Sequence, residues 1–523
     1  MSNERFIYKH VVIVGVDGAG RFFADADTPN IDRIFKNGAC TFDMLTAEPT
    51  ISAQCWGSML LGVPPEVHKL TNGIVASSEY PPSSPFPSIF KTIREQIPDA
   101  SLASFCVWNP INIGIIENSV GVFKDSWTPE EVGQIGPDAF VMNKATSYVR
   151  DVVPPTLLFI QIDEADNRGH RFGYGSPEQL LMIHRQDEKI GQLYDAYAEC
   201  GAIEDTLFIV TADHGGIEYS HGGSSDQEKY VMFAAAGKSI CPGVIGEMQV
   251  LDIPAVVTYA LGLTPSNVWT SRVPSGLFTG VEATERPTYT PPKSTRASTS
   301  FPTPKNDVTN VIKDKKLKAY FPFDSSIADR LGSKAEQSGK LYFIDGYFDK
   351  GLSLDDGYVS IKDLSLGKES FGICFWLKTS GLKGDPAVIS NKDWRSGANA
   401  GFVLSVRENG DIIFNVGNGE KRADTCKLLP YDYDQGWVFV ALSLDRKAGT
   451  VGISCDFGEF SSYKLPTELM DLSLDTEMPI NIGQDGTGNY PAHLSATIDE
   501  LMIFDGALAA KDIADLAKHY GVK

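Results

Sequence analysis

The chain has 523 residues, 42% of them hydrophobic and 22% charged, and a formal net charge of −21. That length exceeds one ordinary core and calls for two or more domains. The acidic balance excludes a nucleic acid polymer as the default partner, and no apolar run is long enough to span a membrane.

The first stretch, MSNERFIYKHVVIVGVDG, has no basic region leading into a long apolar segment, so no signal peptide is expected. Eight scattered cysteines without a CxxC pair point the same way, to a cytoplasmic protein with reduced thiols. HVVIVGVD, at 10–17, reads as a buried strand, and TPNIDRIFKNG, at 28–38, as a helix with a glycine stop. TLLFIQID, at 156–163, is a second strand. A long amphipathic helix follows from Ser176, which caps it, and TLFIVTAD, at 206–213, is a third strand. Strands alternating with helices predict an α/β fold, a mostly parallel sheet with helices on both faces.

Residues 282–314 open with EATERPTYTPPKSTRASTSFPTPKN, a Pro/Thr/Ser-rich linker between a first domain at 1–281 and a second at 315–523. The second domain shows short alternating runs, with Asn409-Gly410 as a hairpin signal. It is expected to be an all-β jelly-roll sandwich with one closing helix. Trp394, in SNKDWRSG, is expected to be an exposed aromatic that could face a glycan or a substrate.

Three predicted strands end on acids: Asp17; Asp163, Glu164 and Asp166; and Asp213, followed by His214. Ligands bind at the carboxyl edge of open α/β sheets. Clustered carboxylates repel and desolvate badly unless a cation sits among them. Asp166 and His170 lie four apart and converge across one helical turn, and His221 follows His214 by a short loop. A lone aspartate at a strand end ordinarily caps a loop, but this set is richer. Asp17, Asp166, His170, Asp213, His214 and His221 suffice for two divalent ions. Mixed N/O ligands suit zinc, with manganese or iron as alternatives. The glycines after His214 are expected to let backbone and ion approach closely.

The stretches VGVDG, TPNIDRIFKNGA, PTISAQCWGSMLLGVPPEVHKLTNG, DEADNRGHRFGYGSPE, TADHGG and HGG occur in this order. They resemble the alkaline phosphatase superfamily, in its nucleotide pyrophosphatase/phosphodiesterase branch. The resemblance implies that Asp166, His170 and His221 hold one zinc and that Asp17, Asp213 and His214 hold the other. It implies a hydroxyl nucleophile between them at Ser52, with Thr50 as runner-up. It also implies that Asn72 donates to a phosphate oxygen. Gln54 and Trp56 depart from the branch pattern, which leaves the leaving-group pocket open. His68 is read as a structural turn residue. The second domain resembles laminin-G-like, concanavalin A-like jelly rolls, with SCDFGEF where an Asp-Gly turn is usual.

The expected activity is a metal-dependent phosphodiesterase or nucleotide pyrophosphatase that passes through a covalent phospho-enzyme, its partner a phosphate ester. The alternatives are a phosphomonoesterase on the same site, or a glycan-binding protein with a vestigial hydrolase domain. A sulfatase is disfavoured, because SAQCW lacks the formylglycine motif.

Overall fold

The computed structural model describes residues 7–521, except 83, 134, 152, 153, 283, 284, 291–307, 380 and 431. The expected linker falls largely outside the described residues. The chain divides into two compact units, residues 1–292 and 293–523.

The first unit is built on eight strands: β1 His10–Val16, β2 Ala39–Leu45, β3 Leu102–Cys106, β4 Phe123–Asp125, β5 Leu157–Ile162, β6 Thr206–Thr211, β7 Tyr230–Ala236 and β8 Gly243–Val244. Their order across the sheet is β4-β3-β5-β1-β6-β7-β2-β8. From β4 to β6 every pairing is parallel, and β7 turns antiparallel against β6 and β2. The three strands expected from the sequence are its centre. β5 and β6 are buried throughout and β1 nearly so, which is why they read as continuous apolar runs rather than alternating ones.

Register sets the acids level. Gly15 pairs with Gln161 on one side and Thr211 on the other. Two residues further on, Asp17, Asp163 and Asp213 therefore emerge together at the carboxyl edge. Gly15 itself is required, because a Cβ there would lie 2.3 Å from the Trp56 ring.

Two helices are started by buried carboxylates from distant sequence. Asp187, on the helix Pro177–Glu199, accepts the Asn30 N–H at 3.0 Å and the Ile31 N–H at 2.7 Å. That satisfies the open amino end of the helix Pro29–Phe35, whose own Thr28 makes no side-chain cap. Asp138 does the same for the helix Glu164–Phe172, accepting the Asp163 N–H at 2.8 Å and the Glu164 N–H at 3.1 Å. Ser176 caps Pro177–Glu199 as expected, accepting from the Gln179 N–H at 3.3 Å. Arg286 belongs to the first unit, where it forks onto the buried Asp252 at 2.6 and 2.8 Å.

The second unit is a thirteen-strand antiparallel β assembly among the described residues. Asn409-Gly410 turns the hairpin between Gly401–Val406 and Asp411–Gly417, with Gly410 at φ +85°. Phe371–Thr379 shows the period-two logic of a sandwich strand. Ile373, Phe375 and Leu377 enter the inner core, while Cys374 and Trp376 face a second layer. That outer layer is covered by Ile513, Leu516 and Tyr520 of the terminal helix region. In the SCDFGEF turn, Asp456 and Phe457 are both left-handed, at φ 47° and 61°. The Phe457 ring stacks on Phe439 at 4.2 Å, so this turn is a packing element. Trp394 departs from expectation. It is half-buried and donates its indole N–H to the Asp385 carbonyl at 3.1 Å.

Candidate active site

The carboxyl edge of the sheet collects all six expected ligands. Asp166, His170 and His221 offer ligand atoms that all lie within 4.8 Å of one another, and so do Asp17, Asp166 and His214. Asp213 joins through His214, whose Nε2 lies 3.4 Å from Asp213 Oδ2 and 3.5 Å from Asp17 Oδ1. Asp166 Oδ2 is 3.2 Å from His170 Nε2.

The three imidazoles share one arrangement. Nδ1 of His170 faces the Tyr219 carbonyl at 2.9 Å, that of His214 the Gly215 carbonyl at 2.9 Å, and that of His221 the Thr50 carbonyl at 2.6 Å. A carbonyl oxygen only accepts, so each Nδ1 carries a proton, and Nε2 is the atom that each ring turns toward the acids. A metal-binding histidine needs this anchoring of Nδ1 on a backbone carbonyl, which leaves Nε2 for an ion in place of its proton.

The carboxylates are held as tightly. Asp17 Oδ2 accepts from Trp56 Nε1 at 2.9 Å and Gln161 Nε2 at 3.0 Å. Asp213 Oδ1 accepts from the Gly18 N–H at 3.1 Å and the His214 N–H at 2.8 Å. Their other oxygens, Asp17 Oδ1 and Asp213 Oδ2, are buried without a hydrogen-bond partner. Burial, then the neighbouring Asp213, Asp166 and Asp163 carboxylates, pushes the Asp17 carboxyl well above the usual range. Burial and Asp166 do the same to Asp213. Burial opposes the charge on Asp166 too, yet its bond to His170, with His214, Tyr174 and His221 nearby, brings it down to about 2. Burial lowers His214 and His221, whereas the bond to Asp166 raises His170 to about 9. Two orphaned carboxylate oxygens lie beside imidazole Nε2 atoms in a buried pocket, and a divalent cation fits that donor set.

Residues 113–250 match the family described as type I phosphodiesterase / nucleotide pyrophosphatase. Residues 353–514 match the concanavalin A-like lectin/glucanases superfamily. The first unit resembles the nucleotide pyrophosphatase/phosphodiesterase branch. Human ectonucleotide pyrophosphatase/phosphodiesterase family member 7 is 23% identical over 222 residues, which cover 39% of this chain. That match spans 47% of the relative's own length, so the chain covers about half of it. Murine ectonucleotide pyrophosphatase/phosphodiesterase 5 superposes with a TM-score of 0.40 at 17% identity, over 49% of this chain and 96% of that one. The binding domain of botulinum neurotoxin DC, solved with rat synaptotagmin II, gives 0.32 at 18% identity, over 39% of this chain and 52% of its own.

In this phosphodiesterase-like unit the two hydroxyl candidates have different surroundings. Ser52 opens the helix Ser52–Leu61 and lies half-buried, its Oγ 3.4 Å from His214 Nε2. Thr50 is fully buried and committed to backbone. Its Oγ1 donates to the Gly223 carbonyl and accepts from the Gly222 N–H, each at 2.9 Å. Its carbonyl fixes His221. Thr50 thus ties the loop bearing His221 to the segment bearing Ser52. Thr50→Ser should keep near-native turnover, while Thr50→Val should lower it at least tenfold, because the Gly222 N–H and Gly223 carbonyl lose the hydroxyl that ties the His221 loop to the Ser52 segment. Steady-state kinetics on a chromogenic diester checks this, and equal activity in both variants would contradict the role.

Asn72 lies beside Ser52, with its Oδ1 accepting the Ala53 N–H at 2.9 Å. Gln54 and Trp56, the two departures from the branch pattern, are both buried, and Trp56 braces Asp17. The two glycines after His214 do let backbone approach closely, as expected. A Cβ on Gly215 would lie 2.0 Å from the Gln227 carbonyl oxygen, and one on Gly216 2.5 Å from the Tyr174 ring. His68 is buried beneath the Ser52–Leu61 helix, with Nδ1 accepting the Leu70 N–H at 3.0 Å. Desolvation lowers it to about 3, as befits a neutral packing histidine.

Sequence reasoning missed Asp138, Gln161 and Tyr174. Gln161 had a signal, a lone amide inside the apolar run LLFIQI. It links the Trp108 N–H, at 2.7 Å, to Asp17 and Asp163. Asp138 had none, because its cap spans 25 residues.

Proposed function

We propose that the first unit is a two-ion phosphodiesterase or nucleotide pyrophosphatase. In this reading Asp166, His170 and His221 hold one ion, and Asp17, Asp213 and His214 hold the other. The observation that carries it is the shared Nδ1 anchoring of the three histidines beside two orphaned carboxylate oxygens. Zinc suits this N/O set best, with manganese or iron as alternatives. When bound, the ions supply Lewis-acid stabilisation of charge on the phosphoryl oxygens and favour the deprotonated hydroxyl.

The chain's own residues do the rest. Ser52 Oγ forms the bond to phosphorus in line with the departing ester oxygen, which leaves with the electron pair. From a diester the result is a seryl phosphodiester that still carries the retained ester group, and water releases that group as its monoester in a second displacement. The amino end of the Ser52–Leu61 helix favours the anionic phosphoryl group, and in this reading Asn72, whose Oδ1 accepts the Ala53 N–H, donates its amide N–H to one of the oxygens. Trp56, Gln161 and the Gly18 N–H hold Asp17 and Asp213 in place.

No helix among the described residues is long and apolar enough to cross a membrane. Cytoplasmic residence is part of the proposal, because the eight cysteines are free thiols. The concanavalin A-like unit is proposed to hold a glycan.

A panel of p-nitrophenyl esters tests the activity. The zinc-loaded chain should hydrolyse a nucleotide diester faster than a phosphomonoester and leave a sulfate ester intact. A monoester preference would favour the phosphomonoesterase reading. Inertness on every ester would favour a vestigial hydrolase.

A further inference from the structure

Tyr174 donates its phenol O–H to Asp166 Oδ1. The other oxygen of that carboxylate is the one 3.2 Å from His170 Nε2. The ring stands edge-on to His170, with centroids 5.6 Å apart, and to His221, at 6.3 Å. Two glycines make room for it. A Cβ at Gly169 would approach the ring to 2.6 Å and one at Gly216 to 2.5 Å. The Tyr174 N–H also donates to the Glu218 carbonyl at 2.7 Å, which ties the helix bearing Asp166 and His170 to the loop that leads to His221.

We infer that Tyr174 is a positioning residue for the ion site, its phenol engaging one oxygen of Asp166 so that the other is aimed at the cations. Asp166 belongs to both candidate ligand groups, so its orientation bears on both ions. A merely packed tyrosine would need the ring and the glycines but not the O–H. Without that O–H the carboxylate is free to rotate and to offer both oxygens to one ion. Loss of such an outer partner typically weakens metal binding by about 10–100-fold. The inference rests on the two-ion reading.

Tyr174→Phe in the full chain tests it, because phenylalanine keeps the ring under Gly169 and Gly216 and removes only the donor. Zinc affinity is measured by competition with a chromophoric chelator, the metal-free Tm by calorimetry, and kcat and KM at saturating zinc. The unaltered chain should bind two zinc ions. Tyr174→Phe should bind zinc about 10–100-fold more weakly, with an unchanged metal-free Tm and a kcat loss at nearly constant KM. Wild-type zinc affinity in Tyr174→Phe would overturn the inference alone. So would an affinity loss accompanied by a lower metal-free Tm, which would make the role structural. An unaltered chain that binds no zinc would overturn the two-ion reading and this inference together.

Discussion

Ser52→Ala is expected to reduce diester turnover about a thousandfold or more while both ions stay bound. The hydroxyl makes one long contact, 3.4 Å to His214 Nε2, and lies half-buried. Its removal should therefore cost less than ~1 kcal/mol of stability. Rapid-quench intact-mass analysis gives a second readout. The unaltered chain should carry on Ser52, during turnover, the phosphoryl group with the retained half of the diester, and Ser52→Ala should carry none. If Ser52→Ala kept its turnover and Thr50→Ala lost it, the nucleophile would be two residues upstream. The backbone bonds of Thr50 argue against that, since a hydroxyl bound on both sides by Gly222 and Gly223 is not free to attack.

The second large effect concerns the ions. Chelation should lower the Tm of the unaltered chain, because Asp17 and Asp213 then face each other as buried acids with orphaned oxygens. Each ion present at a hundred times its Kd contributes about 2.7 kcal/mol. Asp213→Asn should reverse the sign of the metal-free comparison. It keeps an acceptor for the Gly18 and His214 N–H groups and removes one buried charge. Metal-free Asp213→Asn should thus melt above the metal-free unaltered chain, yet gain less on adding zinc and turn over at least a hundredfold more slowly. His170→Ala should lose one ion and turnover with little change in metal-free Tm, because His170 is partly exposed. Undiminished turnover in both variants would contradict the assignment.

These effects trace to features of unequal legibility in the sequence. The central strands were readable, because strands buried on both faces have no polar alternation to obscure them. The strand-end acids followed from them, since parallel pairing in register brings Asp17, Asp163 and Asp213 to one edge. What the sequence could not show was which atoms face which. The carbonyls that fix the three histidines come from Thr50, Gly215 and Tyr219, and two of those contacts span more than forty residues. Trp56 shows the same limit. By pattern it is only a departure from the branch, and the helix phase of Ser52–Leu61 is what turns it inward onto Asp17. The glycine pair after His214 reads as room for close approach, and the structure shows whose: the Gln227 backbone at Gly215 and the Tyr174 ring at Gly216. Trp394 was expected to be exposed because an aromatic in a polar loop reads that way, but its indole N–H is held by Asp385.

Native mass spectrometry of the full chain, dialysed against zinc and then against zinc-free buffer, tests the central claim most directly. The account predicts two zinc ions per chain, both removed by a strong chelator together with diester turnover. A chain that retains no zinc, or whose diester turnover is unaffected by complete zinc removal, would contradict it.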